Sequence, residues 1–167
     1  MEQPEIARRT ERAWMVSFTP RMPFNEGTFD VDYECEATNV GRTPSRIVEV
    51  GIGFAKTARL SNIPQTPIFT EKKQFNKIVL APNDCFPVSA RLSPKLAQEE
   101  WQAVREGKLF LYAYGFITYL DVFGKSKRHI RETRFCHRSG PSEPNWPVRE
   151  LYPCPFIEAP PEYHRAT

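Results

Sequence analysis

At 167 residues the chain is long enough for one domain with a buried core. Sixteen prolines and twelve phenylalanines speak against a helical bundle and suit short strands joined by turns. A net charge of +3 with a pI near 8.7 is too weak to imply nucleic-acid binding by itself, no run approaches the roughly 18 apolar residues of a membrane span, and no hydrophobic signal core follows Met1.

Residues 1–11 are charged and read as an N-terminal arm. Ala13 to Phe18 reads as a first strand, with Trp14, Val16 and Phe18 on one face, and Pro20 to Gly27 as a loop. Phe29 to Asn39 carries the cleanest pattern. Phe29, Val31, Tyr33, Cys35 and Ala37 alternate with Asp30, Asp32, Glu34, Glu36 and Thr38. That is the period of a half-exposed antiparallel strand, and a one-residue slip would bury its carboxylates. A turn over Asn39 to Pro44 follows. Arg46 to Phe54 is the next strand, with Val48, Val50, Ile52 and Phe54 in phase. Its opposite face carries Gly51 and Gly53, where another segment is expected to approach closely.

Thr57 to Gln74, with Pro64 and Pro67, reads as irregular. Lys77 to Leu80 and Cys85 to Leu92 read as two short strands. Ser93-Pro94 reads as a helix start, a Ser N-cap with Pro in the first turn. Leu96, Ala97, Trp101 and Val104 keep helical spacing, and Gly107 fits the stop. Leu109 to Leu120 is apolar or aromatic at odd and even positions alike, so both faces are expected to be covered. Asp121 to Lys125 is the turn of a hairpin, with Gly124 free to take positive φ. The return strand, Lys127 to Arg138, is polar on both faces and rich in arginine. Residues 140–167 form a proline-rich tail whose Trp146, Leu151, Tyr152, Phe156, Ile157 and Tyr163 are too many large apolar groups for a solvated end.

These elements define an all-β fold: an immunoglobulin-like two-sheet antiparallel sandwich of about seven strands over residues 12–139. One short helix lies at about 94–106, and the tail packs on the domain.

Asn39, Gly41, Thr43 and Pro44 (NxGxTP) follow the alternating strand, and YGFITYLDVFG and TRFC come near the end. Together these motifs resemble a group of uncharacterised bacterial proteins. Members of that group have one or two N-terminal membrane helices followed by a β-sandwich domain. The resemblance covers roughly Ala13 to Cys136. It implies a small soluble domain tethered to a membrane by an anchor outside these residues; the domain is expected on the cytoplasmic side, a choice the resemblance leaves open. It brings no catalytic residues.

The residues themselves offer few sites. Cys136 and His137 are adjacent, so on a strand they point to opposite faces and cannot form a dyad. His129, Cys136, His137, Cys154 and His164 lack zinc spacing. Cys35, Cys85, Cys136 and Cys154 show no CxxC pair, and a reducing compartment is the simplest reading. A Cys35–Cys136 bridge would imitate the inter-sheet disulfide of immunoglobulin domains, but Trp101 falls on a helix rather than on the usual strand. No phosphate-binding glycine loop and no nucleophile elbow appears. The expectation is therefore a non-catalytic protein with no cofactor and no metal.

What remains is the basic return strand. Arg128, Arg131, Arg134 and Arg138 would meet an anion, with Tyr112, Tyr114 and Phe116 as stacking groups. The competing reading sets these arginines against the acidic stripe Asp30, Asp32, Glu34 and Glu36 as ordinary charge ladders. Function is accordingly expected to be an interaction or sensing module of a membrane-tethered bacterial protein, binding a protein partner or itself. The contacts would run through a sheet edge or the aromatic face of the hairpin. The alternative is an anion-binding domain for a nucleotide, oligonucleotide or lipid headgroup using residues 127–138.

Overall fold

A computed structural model describes residues 13, 15–22, 24, 25, 27–58, 66–122, 130–139 and 151–153. In chain order the strands are β1 Met15–Arg21, β2 Phe24–Asn25, β3 Asp30–Asn39, β4 Ser45–Thr57, β5 Glu71–Gln74, β6 Val79–Leu80 and β7 Cys85–Arg91. Helix α1 (Gln98–Arg105) follows, then β8 Phe110–Asp121, β9 Ile130–Ser139 and β10 Leu151–Pro153. They build an all-β sandwich of two antiparallel sheets. In the smaller sheet, β3 is flanked by β7 on one side and by β1, continued by β2, on the other. The larger sheet runs β10-β9-β8-β4, and β5 and β6 share the far side of β4.

The alternation of β3 decides how the sheets meet. Val31, Tyr33, Cys35 and Ala37 are buried, while Asp32, Glu34, Glu36 and Thr38 lie on the outer side. Val88 and Ala90 of β7, with Ala13 and Met15, complete that inner face. Opposite them stand Ile47, Val50 and Ile52 of β4, Ala113, Ile117 and Tyr119 of β8, and Phe135 of β9. The side chains of Trp14, Val16 and Phe18 lie outside the described set.

β8 is covered on both faces, with every residue from 111 to 117 buried. The two glycines of β4 make this packing possible. The Phe116 ring lies over Gly51 and the Tyr114 ring over Gly53, so close that a Cβ at either position would collide with the ring. A ring laid over a strand glycine is a known way of filling the missing side chain.

Four expectations need correction. The phase of β4 breaks between Ile47 and Glu49, where its register against β8 shifts. Ser45 and Ile47 face the core before that bulge and Val50 and Ile52 after it, so Val48 drops out of the row. The stretch read as irregular up to Gln74 ends in a strand, β5. The helix starts at Gln98, not at Pro94, because the chain is still bonded along β3: Leu92 N–H donates to Val31 O at 2.9 Å and Leu96 N–H to Phe29 O at 3.2 Å. The Ser93–Pro94 bond is cis. Lastly, β9 is not polar on both faces, since Phe135, Cys136 and His137 are buried.

Ala97 has no side-chain acceptor, so the start of α1 is capped from the other direction. Glu100 Oε2 accepts the Ala97 N–H at 3.0 Å, and Glu100 Oε1 meets Lys56 Nζ at 2.7 Å. The Lys56 contact first, then the Ala97 N–H, holds this carboxyl below the usual glutamate range. A lowered folded value means the stability it carries is present above the unfolded glutamate range. That stability is lost as the pH falls through the lowered value. Glu100→Gln is thus expected to lower the urea midpoint at pH 7 by a margin that shrinks towards pH 3. The effect is about half a kcal/mol, because the pair is solvent-screened. At the other end, Gly107 takes φ 68°, with its N–H on Val104 O and the Lys108 N–H on Ala103 O. That is the double-bonded glycine stop, as expected.

The residues of NxGxTP and YLD meet at one corner. Asn39 is fully buried. Its Nδ2 donates to Thr43 O (2.8 Å) and Leu80 O (3.2 Å), and its Oδ1 accepts the Gly41 N–H at 3.1 Å. Thr43 Oγ1 donates to Asp121 Oδ2 at 3.2 Å, and the Val122 N–H to Pro44 O at 3.1 Å. Asn39, Thr43, Pro44 and Asp121 therefore form a lock joining the β3–β4 turn to the end of β8. Asn39→Ala would leave one N–H and two carbonyls short of a partner. It is expected to cost about 2 kcal/mol in chemical denaturation. Residues 123–125 of the hairpin turn, Gly124 among them, lie outside the described residues.

Candidate functional site

The outer face of the larger sheet holds most of the residues singled out from the sequence. In register across β9, β8 and β4 stand Arg138, Tyr112 and Ala55, then Cys136, Tyr114 and Gly53, then Arg134, Phe116 and Gly51. Tyr112, Tyr114 and Phe116 are only 0%, 2% and 6% exposed. Residues 68–69 form part of their roof. Tyr114 Oη donates to Ile68 O at 2.9 Å, and the Phe69 ring stands edge-on to Tyr114 at 5.9 Å and to Phe116 at 4.7 Å. Burial pushes the Tyr114 hydroxyl above its ordinary value of 10.0, so it stays a protonated donor. No base or peptide ring can stack on Phe116 unless Phe69 leaves.

The arginines do not form one cluster. Arg134 and Arg138 point to the outer face, while Arg131 alternates inward with Thr133, Phe135 and His137. Arg134 Nε is ion-paired with Glu132 at 2.6 Å, and the Arg138 guanidinium lies 5.6 Å from the Phe110 ring centre. Arg128 and His129 lie outside the described residues. The acidic stripe of β3 belongs to the other sheet, facing outward, and Asp32 pairs there with Arg91 at 2.6 Å. Among the described residues the expected ladder between stripe and basic strand does not form, because the sheets put their charged faces on opposite sides of the sandwich.

Cys136 and His137 do point to opposite faces. Cys136 packs with Tyr112 and Tyr114 outside, and His137 lies between the sheets. Its Nδ1 is 2.8 Å from Tyr33 Oη, and its ring stacks on those of Tyr33 and Phe135 at 6.0 and 5.6 Å. Cys35 faces the core while Cys136 faces away from it, and both are free thiols, so the imagined inter-sheet bridge is not formed. Among the described residues no three His, Cys, Asp or Glu side chains group as metal ligands. None of the described helices is long and apolar enough to cross a membrane.

The proposed routes to a partner therefore narrow. The aromatic face is roofed, and three of the outermost strands contain proline, which cannot donate to a further strand: Pro20 in β1, Pro87 in β7 and Pro153 in β10. Pro87 is placed where this matters. The Leu92 N–H to Val31 O and Asn39 N–H to Asp84 O bonds fix the ladder so that even-numbered residues of β7 bond to β3. Pro87 thus sits on the free side. Pro87→Val restores a donor there and raises β propensity. It is expected to convert a fraction of the protein to oligomers, visible by light scattering.

β5 is different. It has no proline, and its neighbour across the sandwich is β7. Between the two sheets on this side lies an open slot of about 220 Å³, lined by Val50, Ile52, Phe75, Phe86 and Val88, with Glu71 and Lys73 at the rim. Phe75 and Phe86 close one end, edge to face at 5.2 Å. The sequence reading missed this slot because half of its wall, residues 71–75, was read as irregular. The available signal was composition: a short segment with two lysines is how an edge strand is commonly written.

Fold and site together define a two-sheet β-sandwich domain in which, among the described residues, one side is left open between β5 and β7. Comparison with protein-family models, with curated proteins and with solved structures found no match.

Proposed function

We propose that this is a non-catalytic interaction or sensing module. In this reading it is an immunoglobulin-like domain of a membrane-tethered bacterial protein, binding a protein partner on its open side. The observation that carries the reading is the apolar slot between β5 and β7. The floor of the slot, Val50, Ile52 and Val88, belongs to the core, Phe75 and Phe86 are half-buried, and an apolar recess beside an edge strand is what a partner can use. Sandwich architecture alone supports no function, since the fold hosts many. The anion-binding alternative has less behind it. Arg134 and Arg138 are already engaged and the three rings are buried.

Photo-crosslinking tests the reading. Benzoylphenylalanine placed at Lys73, whose side chain stands at the rim of the slot beside Val50, should give a discrete adduct in cells that express the protein. The same group at Glu36, on the outer face of the smaller sheet, should give none. Equal labelling from both positions, or none from Lys73, would remove the open side as the binding surface.

A further inference from the structure

We infer that the occupant of the open side is an acidic, extended peptide segment that adds to β5 as a further strand and seats a bulky apolar side chain in the slot. This rests on the interaction-module reading and goes beyond it by stating the partner's chemistry.

Three observations converge. The first is the edge itself. Phe75 N–H donates to Val48 O at 2.8 Å, which continues the β4–β5 register and turns Glu71 and Lys73 towards β4. Lys72 and Gln74 consequently direct their N–H and C=O groups away from the sheet, where an added strand takes them up. Pro87 denies the same to a segment approaching β7, the other strand beside the slot.

The second is the slot. A strand beside β5 sends alternate side chains inward and outward. The inward ones meet Val50, Ile52, Val88, Phe75 and Phe86. A volume of about 220 Å³ exceeds the roughly 150 Å³ that accepts benzene in an engineered cavity. A phenylalanine or leucine side chain fits that space.

The third is charge. Residues 71–77 carry Lys72, Lys73 and Lys77 against Glu71 alone. Lys73 is 62% exposed and only 3.8 Å-paired with Glu71. The Lys72 ammonium is held at the edge over the rings of Phe69 and Phe116, 5.8 and 5.9 Å from their centres. Outward acidic side chains on the added strand would face that ammonium. The pattern predicted for the partner is thus apolar inward and acidic outward.

The test uses the full chain and a fluorescein-labelled octapeptide, Glu-Val-Asp-Phe-Glu-Val-Asp-Thr, followed by anisotropy at low salt. The control replaces every acidic residue by lysine. The acidic peptide should bind at least about tenfold more tightly than the control. Both Val88→Trp, which fills the slot, and the exposed pair Lys72→Glu with Lys73→Glu should weaken it by about tenfold. The lysine pair is solvent-facing, so its variant keeps the test valid if the tryptophan variant does not fold. Equal binding of the two peptides overturns the proposal, as does acidic binding that neither variant weakens. If no peptide binds but the probe at Lys73 still crosslinks specifically, the acidic strand falls while the module reading stands. If the Lys73 probe also gives no adduct, both fall.

Discussion

Gly115→Val is expected to destabilise the domain by about 3 kcal/mol, the upper end of the usual overpacking cost. Glycine inside a strand is ordinarily a weakness, and a side chain there ordinarily helps. Here the sign reverses. Gly115 sits mid-way along β8, opposite Ile52 on one side and Phe135 on the other. A Cβ would lie 2.5 Å from the Gly51 carbonyl oxygen and against the rim of the Phe135 ring. The carbonyl is fixed in the ladder. The ring cannot swing aside, because it stacks on Tyr33 at 6.0 Å and on His137 at 5.6 Å. Urea denaturation should show a lower midpoint with an unchanged slope. A loss under about 1 kcal/mol would mean that Phe135 does not cover this glycine.

Tyr33→Ala should cost more, about 4 kcal/mol, in the range for emptying a large aromatic site in a core. Tyr33 is fully buried, and its contacts cross from the smaller sheet to the larger. Its ring stands edge-on to Phe54 at 6.4 Å and stacks on Phe135 and His137, and its hydroxyl lies 2.8 Å from His137 Nδ1. Tyr33→Phe separates the contributions. It keeps the ring packing and removes only the polar contact, so about 1–2 kcal/mol should be lost. Equal losses for the two variants would place the whole effect in the hydrogen bond and contradict the packing described.

The alternation from Val31 to Ala37 placed β3 and named its core face correctly. The doubly apolar run from Leu111 to Ile117 marked β8 as covered on both sides. The bend at Gly107 and the close approach at Gly51 and Gly53 were likewise legible. The candidate site was not. Arg131, Arg134 and Arg138 looked like one cluster in the sequence and are divided between two faces. Tyr112, Tyr114 and Phe116 looked available and are roofed by Ile68 and Phe69. The wall of the open slot lay in a segment too short and too polar to show a period.

The sequence alone determined that β3, β4, β7, β8 and β9 are strands, which parity β3 presents to the core and where the helix stops. Those properties depend on backbone geometry over a few residues, and side-chain pattern reports them directly. Tertiary structure alone decided that β4 shifts phase at Val48, that the charged strands lie on opposite outer faces and that β5 and β7 flank a slot between the sheets. Each of those outcomes depends on which distant segment arrives alongside, through register and packing that no local window contains.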